Sequence, residues 1–283
     1  MTKDWKVAAR RGSSLLDTGD HAAALDAYEE AVREGGDTWA LWADVAIAAK
    51  QTRHFSRAYE AARRSIEKGA PEGDGVFWNL GIAATAVGAW EDARRGWKAC
   101  GIPIPHGHGE IVLDFGLTPV RFEPGEDKEI VWGQRICPAR VVLCSIPLTA
   151  AGRRHGDVLL HDGEPTGKRA DHEHIERSVF AVLDVLVRSP AQTYIAQVTA
   201  PDAASFAMLR AELAERGHVT EDWTGKLAAH CPHCAAGMDH EHAGRWTKKR
   251  NLGIAAKRDP GPALDAWLAG AADGRSVQAL LEE

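Results

Sequence analysis

Through the first hundred residues, apolar positions recur at i, i+3 and i+4, the spacing that lines one face of an α-helix. After Gly101 the pattern changes. The run Ile102-Pro103-Ile104-Pro105-His106-Gly107-His108-Gly109 is punctuated by proline and glycine and marks a linker. Beyond it, runs rich in Val, Ile and Trp predict strands over Ile111–Leu113, Pro119–Phe122, Glu129–Ile136, Ala139–Ser145 and Asp157–His161. Further strands are expected over Phe180–Val187, Tyr194–Thr199 and His218–Trp223. Asp202–Arg216 predicts a helix, with Asp202 as N-cap, Phe206, Leu209 and Leu213 as its apolar stripe and Gly217 as its stop. Leu252–Ala256 predicts a closing strand, and Pro262–Ala269 and Ser276–Leu281 two short helices. The chain therefore divides into helical residues 1–105, an α+β domain over 106–225 and a C-terminal segment over 226–283. Its fold class is α+β.

The helical part is repetitive. Gly19-Asp20-His21-Ala22-Ala23-Ala24, Arg53-His54-Phe55-Ser56-Arg57-Ala58 and Gly88-Ala89-Trp90-Glu91-Asp92-Ala93 align, with Ala24, Ala58 and Ala93 falling 34 and then 35 residues apart. Small residues Gly12, Ala46 and Gly81 stand where two helices cross. Tyr28 and Trp97 are the bulky residues of the second helix, with Ala62 departing. Gly19 and Gly88 occupy the turn, with Arg53 departing. This pattern resembles the tetratricopeptide repeat (TPR) in three units. The resemblance implies an all-α array of helical hairpins whose concave face grips a protein or peptide. Candidate groove residues on the first helices are Arg11, Asp44, Lys50 and Asn79.

Within the α+β domain, Val131-Trp132, Ser145-Ile146-Pro147-Leu148 and His155-Gly156-Asp157-Val158-Leu159 resemble a small bacterial domain of unknown function over residues 129–220. The resemblance brings no activity; the runs themselves suggest a compact β-barrel-like module. Asp157 and His161 are four apart on an expected strand and so share a face, which makes them the candidate pair of an alternative reading, a metal-dependent hydrolase. A turn-capping Asp157 and a hairpin end at His161-Asp162-Gly163 is the simpler reading. Asp171-His172-Glu173-His174 suits a polar loop, and Cys137 and Cys144 suit small buried hydrophobes.

The sharpest chemical signal lies near the C-terminus. Cys231 and Cys234 form a Cys-x-x-Cys turn, and His240 and His242 follow closely, with His230 and His233 in reserve. Two thiolates and two imidazoles suit tetrahedral Zn²⁺, and a closed Cys₂His₂ set points to a structural zinc knuckle. The short link between the two pairs departs from the usual finger spacing. Cys231-Pro232-His233-Cys234 also resembles the active-site tetrapeptide of some thioredoxin-fold oxidases. That implies a third reading, a thiol-redox protein, although the strand–helix setting of that fold is not evident here.

Charge and composition narrow the partners. The 283 residues carry 40 acidic and 34 basic side chains, a net charge of −6, so no broad basic face for nucleic acid is expected. The run Lys248-Lys249-Arg250 suits a solvated turn. No stretch is apolar enough to suggest a membrane span, and the start lacks the apolar core of a secretion signal. Five cysteines are too few and odd in number for a disulfide framework. The expectation is a cytoplasmic, bacterial adaptor that binds a protein or peptide and holds a structural zinc.

Overall fold

The computed structural model describes residues 4–122, 129–148, 152–171, 173–224, 246–270 and 274–282. They form two compact units. The first takes in residues up to 113 with the short pieces 136–139 and 160–163; the second holds 114–135, 140–159 and the described residues from 164 onward. The order is six helices followed by a mixed α+β part.

The six helices are α1 (Trp5–Asp17), α2 (His21–Arg33), α3 (Trp39–Gln51), α4 (Phe55–Glu67), α5 (Val76–Val87) and α6 (Trp90–Ala99). They pair as hairpins α1–α2, α3–α4 and α5–α6. Asp4, Asp20 and Thr38 cap α1, α2 and α3 by accepting from the backbone N–H groups of Lys6, Ala23 and Leu41.

Each first helix ends in the same way. The N–H of Gly19 donates to Leu16 and that of Asp20 to Leu15; Arg53 and His54 repeat this onto Lys50 and Ala49, and Gly88 and Ala89 onto Thr85 and Ala84. The turn needs a left-handed residue, and Gly19, Arg53 and Gly88 have φ of 82°, 61° and 76°. Arg53, the residue that breaks the sequence pattern, still adopts the geometry of the glycines.

The helix crossings show the same compensation. A Cβ on Gly12 would lie 2.7 Å from the Tyr28 ring, and one on Gly81 would lie 2.6 Å from the Trp97 ring. In the middle hairpin Ala62 replaces the ring and Ala46 replaces the glycine, and both are fully buried. Ring and missing methyl thus go together, which keeps the crossings close-packed.

In the second unit, β1 (Leu117–Phe122), β2 (Glu129–Cys137), β3 (Arg140–Leu143), β4 (Val158–Ala170) and β5 (Glu176–Val187) follow one another around a closed barrel. The ends of β2 and the stretch 160–163 of β4 count with the first unit. β1 runs antiparallel to β2 and closes parallel on β5. Val120, Phe122, Val131, Val141, Leu143 and Leu159 fill the barrel. Ile111–Leu113, expected as a strand, is not one. β4 runs on to Ala170, well past the expected end at His161.

A second sheet has the order β7 (Val219–Asp222), β8 (Lys249–Ala256), β6 (Gln192–Thr199) and β9 (Ser276–Glu282), with helices α7 (Ala203–Glu215) and α8 (Gly261–Ala269). Asp202 caps α7 through the Ser205 N–H at 2.7 Å, as the sequence predicts. Phe206, Leu209, Leu213, Leu264 and Trp267 pack with Val198, Leu252 and Ile254 of the sheet. Residues 276–281, expected as a helix, are instead the edge strand β9, paired antiparallel with β6 from Thr199↔Ser276 to Tyr194↔Glu282. A segment this short cannot hold a helix by its own hydrogen bonds, and an open sheet edge gives its backbone partners.

The Ser145–Leu148 segment joins barrel and second sheet. Ser145 Oγ accepts from the Trp132 N–H at 3.1 Å, Glu221 from Ile146 at 2.9 Å and Glu129 from Leu148 at 2.9 Å. Ile146 then packs with Ala191, Trp223 and Ala255. The Ser-Ile-Pro-Leu signature is therefore a structural wedge tied by two buried carboxylates.

Candidate functional site

In the first unit α1 touches α3 and α3 touches α5, whereas the second helices meet one another less. The candidate groove residues lie on the first helices α1, α3 and α5. Arg11 is exposed and pairs with Glu30 at 2.6 Å. Asn79 is buried in α5.

Lys50 is not a solvated groove residue. It is 6% exposed, and its Nζ donates to Asp162 Oδ1 at 2.8 Å. Gln51 donates to the other oxygen at 3.0 Å, and the Gly163 N–H closes on Oδ1 at 2.7 Å. Burial pushes the Asp162 carboxyl up. The Lys50 charge and the hydrogen bonds from Lys50, Gly163 and Gln51 outweigh it and hold the group below the usual carboxylate range. Next to it, Gly163 lies beneath the Trp78 indole; a Cβ there would come within 1.5 Å of Trp78 Nε1. In the sequence Asp162-Gly163 suggests a hairpin end. The glycine instead sits inside β4, where it makes room for Trp78.

Asp44 differs from the other three. It is half-buried on α3, and neither a salt bridge nor a side-chain hydrogen bond ties it to any described residue. Burial first, and then the charge of Asp74, raise its pKa to about 6. The buried Tyr28 hydroxyl is pushed up to about 12, by burial first and then by Asp44. Asp44 is thus a half-buried carboxylate of the first-helix layer with no counter-charge among the described residues.

In the second unit Asp157 is fully buried, and its carboxylate accepts from the backbone N–H of Ser189 at 2.7 Å and of Arg154 at 3.0 Å. Arg188 adds a charged donor at 3.3 Å. Such an acceptor ties loops together, and its lone pairs are not open to a substrate. His161, counted with the first unit, is also fully buried, and its Nδ1–H donates to the Asp162 carbonyl at 2.7 Å. Asp171 closes its own loop by accepting from Glu173, Ile175 and Arg177. His155 is held by burial below the usual imidazole range, with its Nδ1 on the Cys144 carbonyl at 2.9 Å. Burial raises the Cys144 and Cys100 thiols, away from reactive thiolate. Among the described residues no group of three or more His, Cys, Asp or Glu is placed to hold a metal ion.

Cys231, Cys234, His240 and His242, with His230 and His233, lie outside the described residues. The described chain stops at Thr224 and resumes at Trp246. The chain leaves β7 beside the start of β8: Trp223 N–H donates to Asn251 O at 2.8 Å, and Asn251 N–H to Thr224 Oγ1 at 3.0 Å. Arg250 pairs with Asp222, and its guanidinium lies 5.0 Å from the Phe206 ring centroid and 4.7 Å from that of Trp246. Lys248-Lys249-Arg250 is thus not a plain solvated turn, because Lys249 and Arg250 begin β8 and Arg250 anchors the point where the chain returns.

No protein-family model matches the chain, and no curated protein is similar to it. Among solved structures, it is similar to a hypothetical protein from Neisseria gonorrhoeae at 13% identity and a TM-score of 0.28, over 63% of this chain and 95% of that one. A likeness of that size supports neither a shared fold nor a function. No helix among the described residues is long and apolar enough to cross a membrane.

Proposed function

We propose that the chain is a cytoplasmic protein-binding adaptor of the tetratricopeptide-repeat type, whose first-helix layer takes a cationic side chain of a partner peptide on Asp44. The observation that carries this reading is the uncompensated, half-buried Asp44 carboxylate, raised to about 6 while Arg11 and Lys50 are matched by Glu30 and Asp162. An unmatched charge in a partly desolvated place is costly until an opposite charge arrives. The repeat spacing, the left-handed turns at Gly19, Arg53 and Gly88, and the contacts between successive first helices support the TPR reading.

The second part of the proposal is a structural zinc on Cys231, Cys234, His240 and His242. Its support is the donor set, two thiolates and two imidazoles, and the pinned strand ends on either side. A bound Zn²⁺ would be held by Cys231, Cys234, His240 and His242 and would supply cross-linking between the two donor pairs, while Arg250 with Trp246 fixes the returning strand.

The test is selection of peptides from a displayed random library by the full chain and by its Asp44→Asn variant. Enrichment of Lys- or Arg-bearing peptides on the wild type alone is the expected result. Equal enrichment on both overturns the reading.

A further inference from the structure

Between α6 and residues 104–108 lies a cleft of about 390 Å³. Arg94 builds one wall by fastening the linker to the helix. Its Nε donates to the Pro105 carbonyl at 3.1 Å, and its Nη1 to the carbonyls of Gly109 at 2.6 Å and Trp90 at 3.2 Å. The remaining nitrogen, Nη2, faces Gly107, where an added Cβ would stand 3.4 Å away. Arg95 and Lys98 also line the cleft, are exposed and have no acidic partner among the described residues. The one carboxylate lining the cleft, Glu91, is hydrogen-bonded to His108. Arg94, Arg95 and Lys98 therefore outnumber it three to one in one concave place.

We propose that this cleft binds an acidic peptide segment of a partner protein, with carboxylates on Arg95, Lys98 and the free edge of Arg94. The size lies within the range of sites that enclose a few side chains. Pro103, Pro105 and the Arg94 hydrogen bonds hold the wall in place beforehand, which lowers the ordering cost of binding. The cation cluster is local on a chain of net charge −6, so it matches a short acidic motif and not an extended phosphodiester backbone. It shares no residue with the Asp44 site and goes beyond that reading.

The experiment is fluorescence anisotropy on the full chain with a labelled Glu-rich hexapeptide and its Gln counterpart, with inorganic phosphate as competitor. The Glu peptide is expected to bind at least about tenfold tighter than the Gln peptide, a difference of ~1.4 kcal/mol. Arg95→Glu with Lys98→Glu, both at exposed positions, should abolish that preference with the circular-dichroism melt unchanged. Asp44→Asn should leave it intact, so the two sites can fail separately. Equal binding of both peptides, or full binding by the double variant, overturns the proposal. Displacement of the peptide by phosphate where equal chloride has no effect also overturns it and reassigns the cleft to phosphate.

Discussion

Lys50 Nζ lies 2.8 Å from Asp162 Oδ1, a buried ion pair between residues 112 apart in the chain. Removing one partner leaves a bare charge out of water, so Lys50→Met should cost about 3–5 kcal/mol, while Lys50→Met with Asp162→Leu should cost much less. Urea denaturation of the full chain checks both. The Asp162 carboxyl is held below its ordinary value, so its contribution is complete above the unfolded carboxylate pKa, roughly 4, and is lost as pH falls through the folded value. Asp162→Asn should remove that part of the acid sensitivity. Equal losses in the single and double variants would contradict the pairing.

Arg53 holds a left-handed backbone, φ 61°, at a place where the other two hairpins use glycine. An L-residue there costs about 1–2 kcal/mol, and glycine returns roughly half of that gain as unfolded-state entropy. Arg53→Gly should therefore stabilise the protein by about 0.5–1 kcal/mol, read as a raised urea midpoint. The Arg53 side chain is exposed, so little else is lost.

Asp157 separates a structural role from a catalytic one. Its oxygens accept from Ser189, Arg154 and Arg188, so Asp157→Ala orphans buried N–H groups and should cost about 2–4 kcal/mol. A hydrolase that used Asp157 as a base would instead keep its urea midpoint and lose an activity.

The helical part was legible because its signals are local and repeat. Gly12 and Gly81 are forced by ring contacts one helix away, and the same spacing recurs three times. The α7 helix was legible for the same reason, through Asp202 and its apolar stripe. What escaped depends on distant partners. Val277, Leu280 and Leu281 fit a helix or a strand equally well, and only pairing with β6 decides between them. Lys50 looked like a surface cation because its counter-charge lies in β4, far along the chain. Gly163 looked like a turn glycine because Trp78, which needs its missing side chain, is equally remote.

The zinc proposal predicts close to one zinc per chain in untagged protein, measured by elemental analysis. Cys231→Ser should release it and lower stability, since a structural zinc module can draw roughly 10 kcal/mol from binding. Metal-free, fully stable wild-type protein would remove zinc from the account.

The most direct measurement is the affinity of the full chain for a labelled Lys/Arg-bearing peptide at pH 7 and pH 5, for wild type and Asp44→Asn. The Asp44 carboxyl is raised to about 6, so it is mostly ionised at the higher pH and mostly neutral at the lower one. A cation that binds the ionised form should therefore bind about tenfold more weakly at pH 5. The account predicts that loss in the wild type, and weak, pH-independent binding in the variant. Identical affinities for the two proteins, with no change between the two pH values, would contradict it.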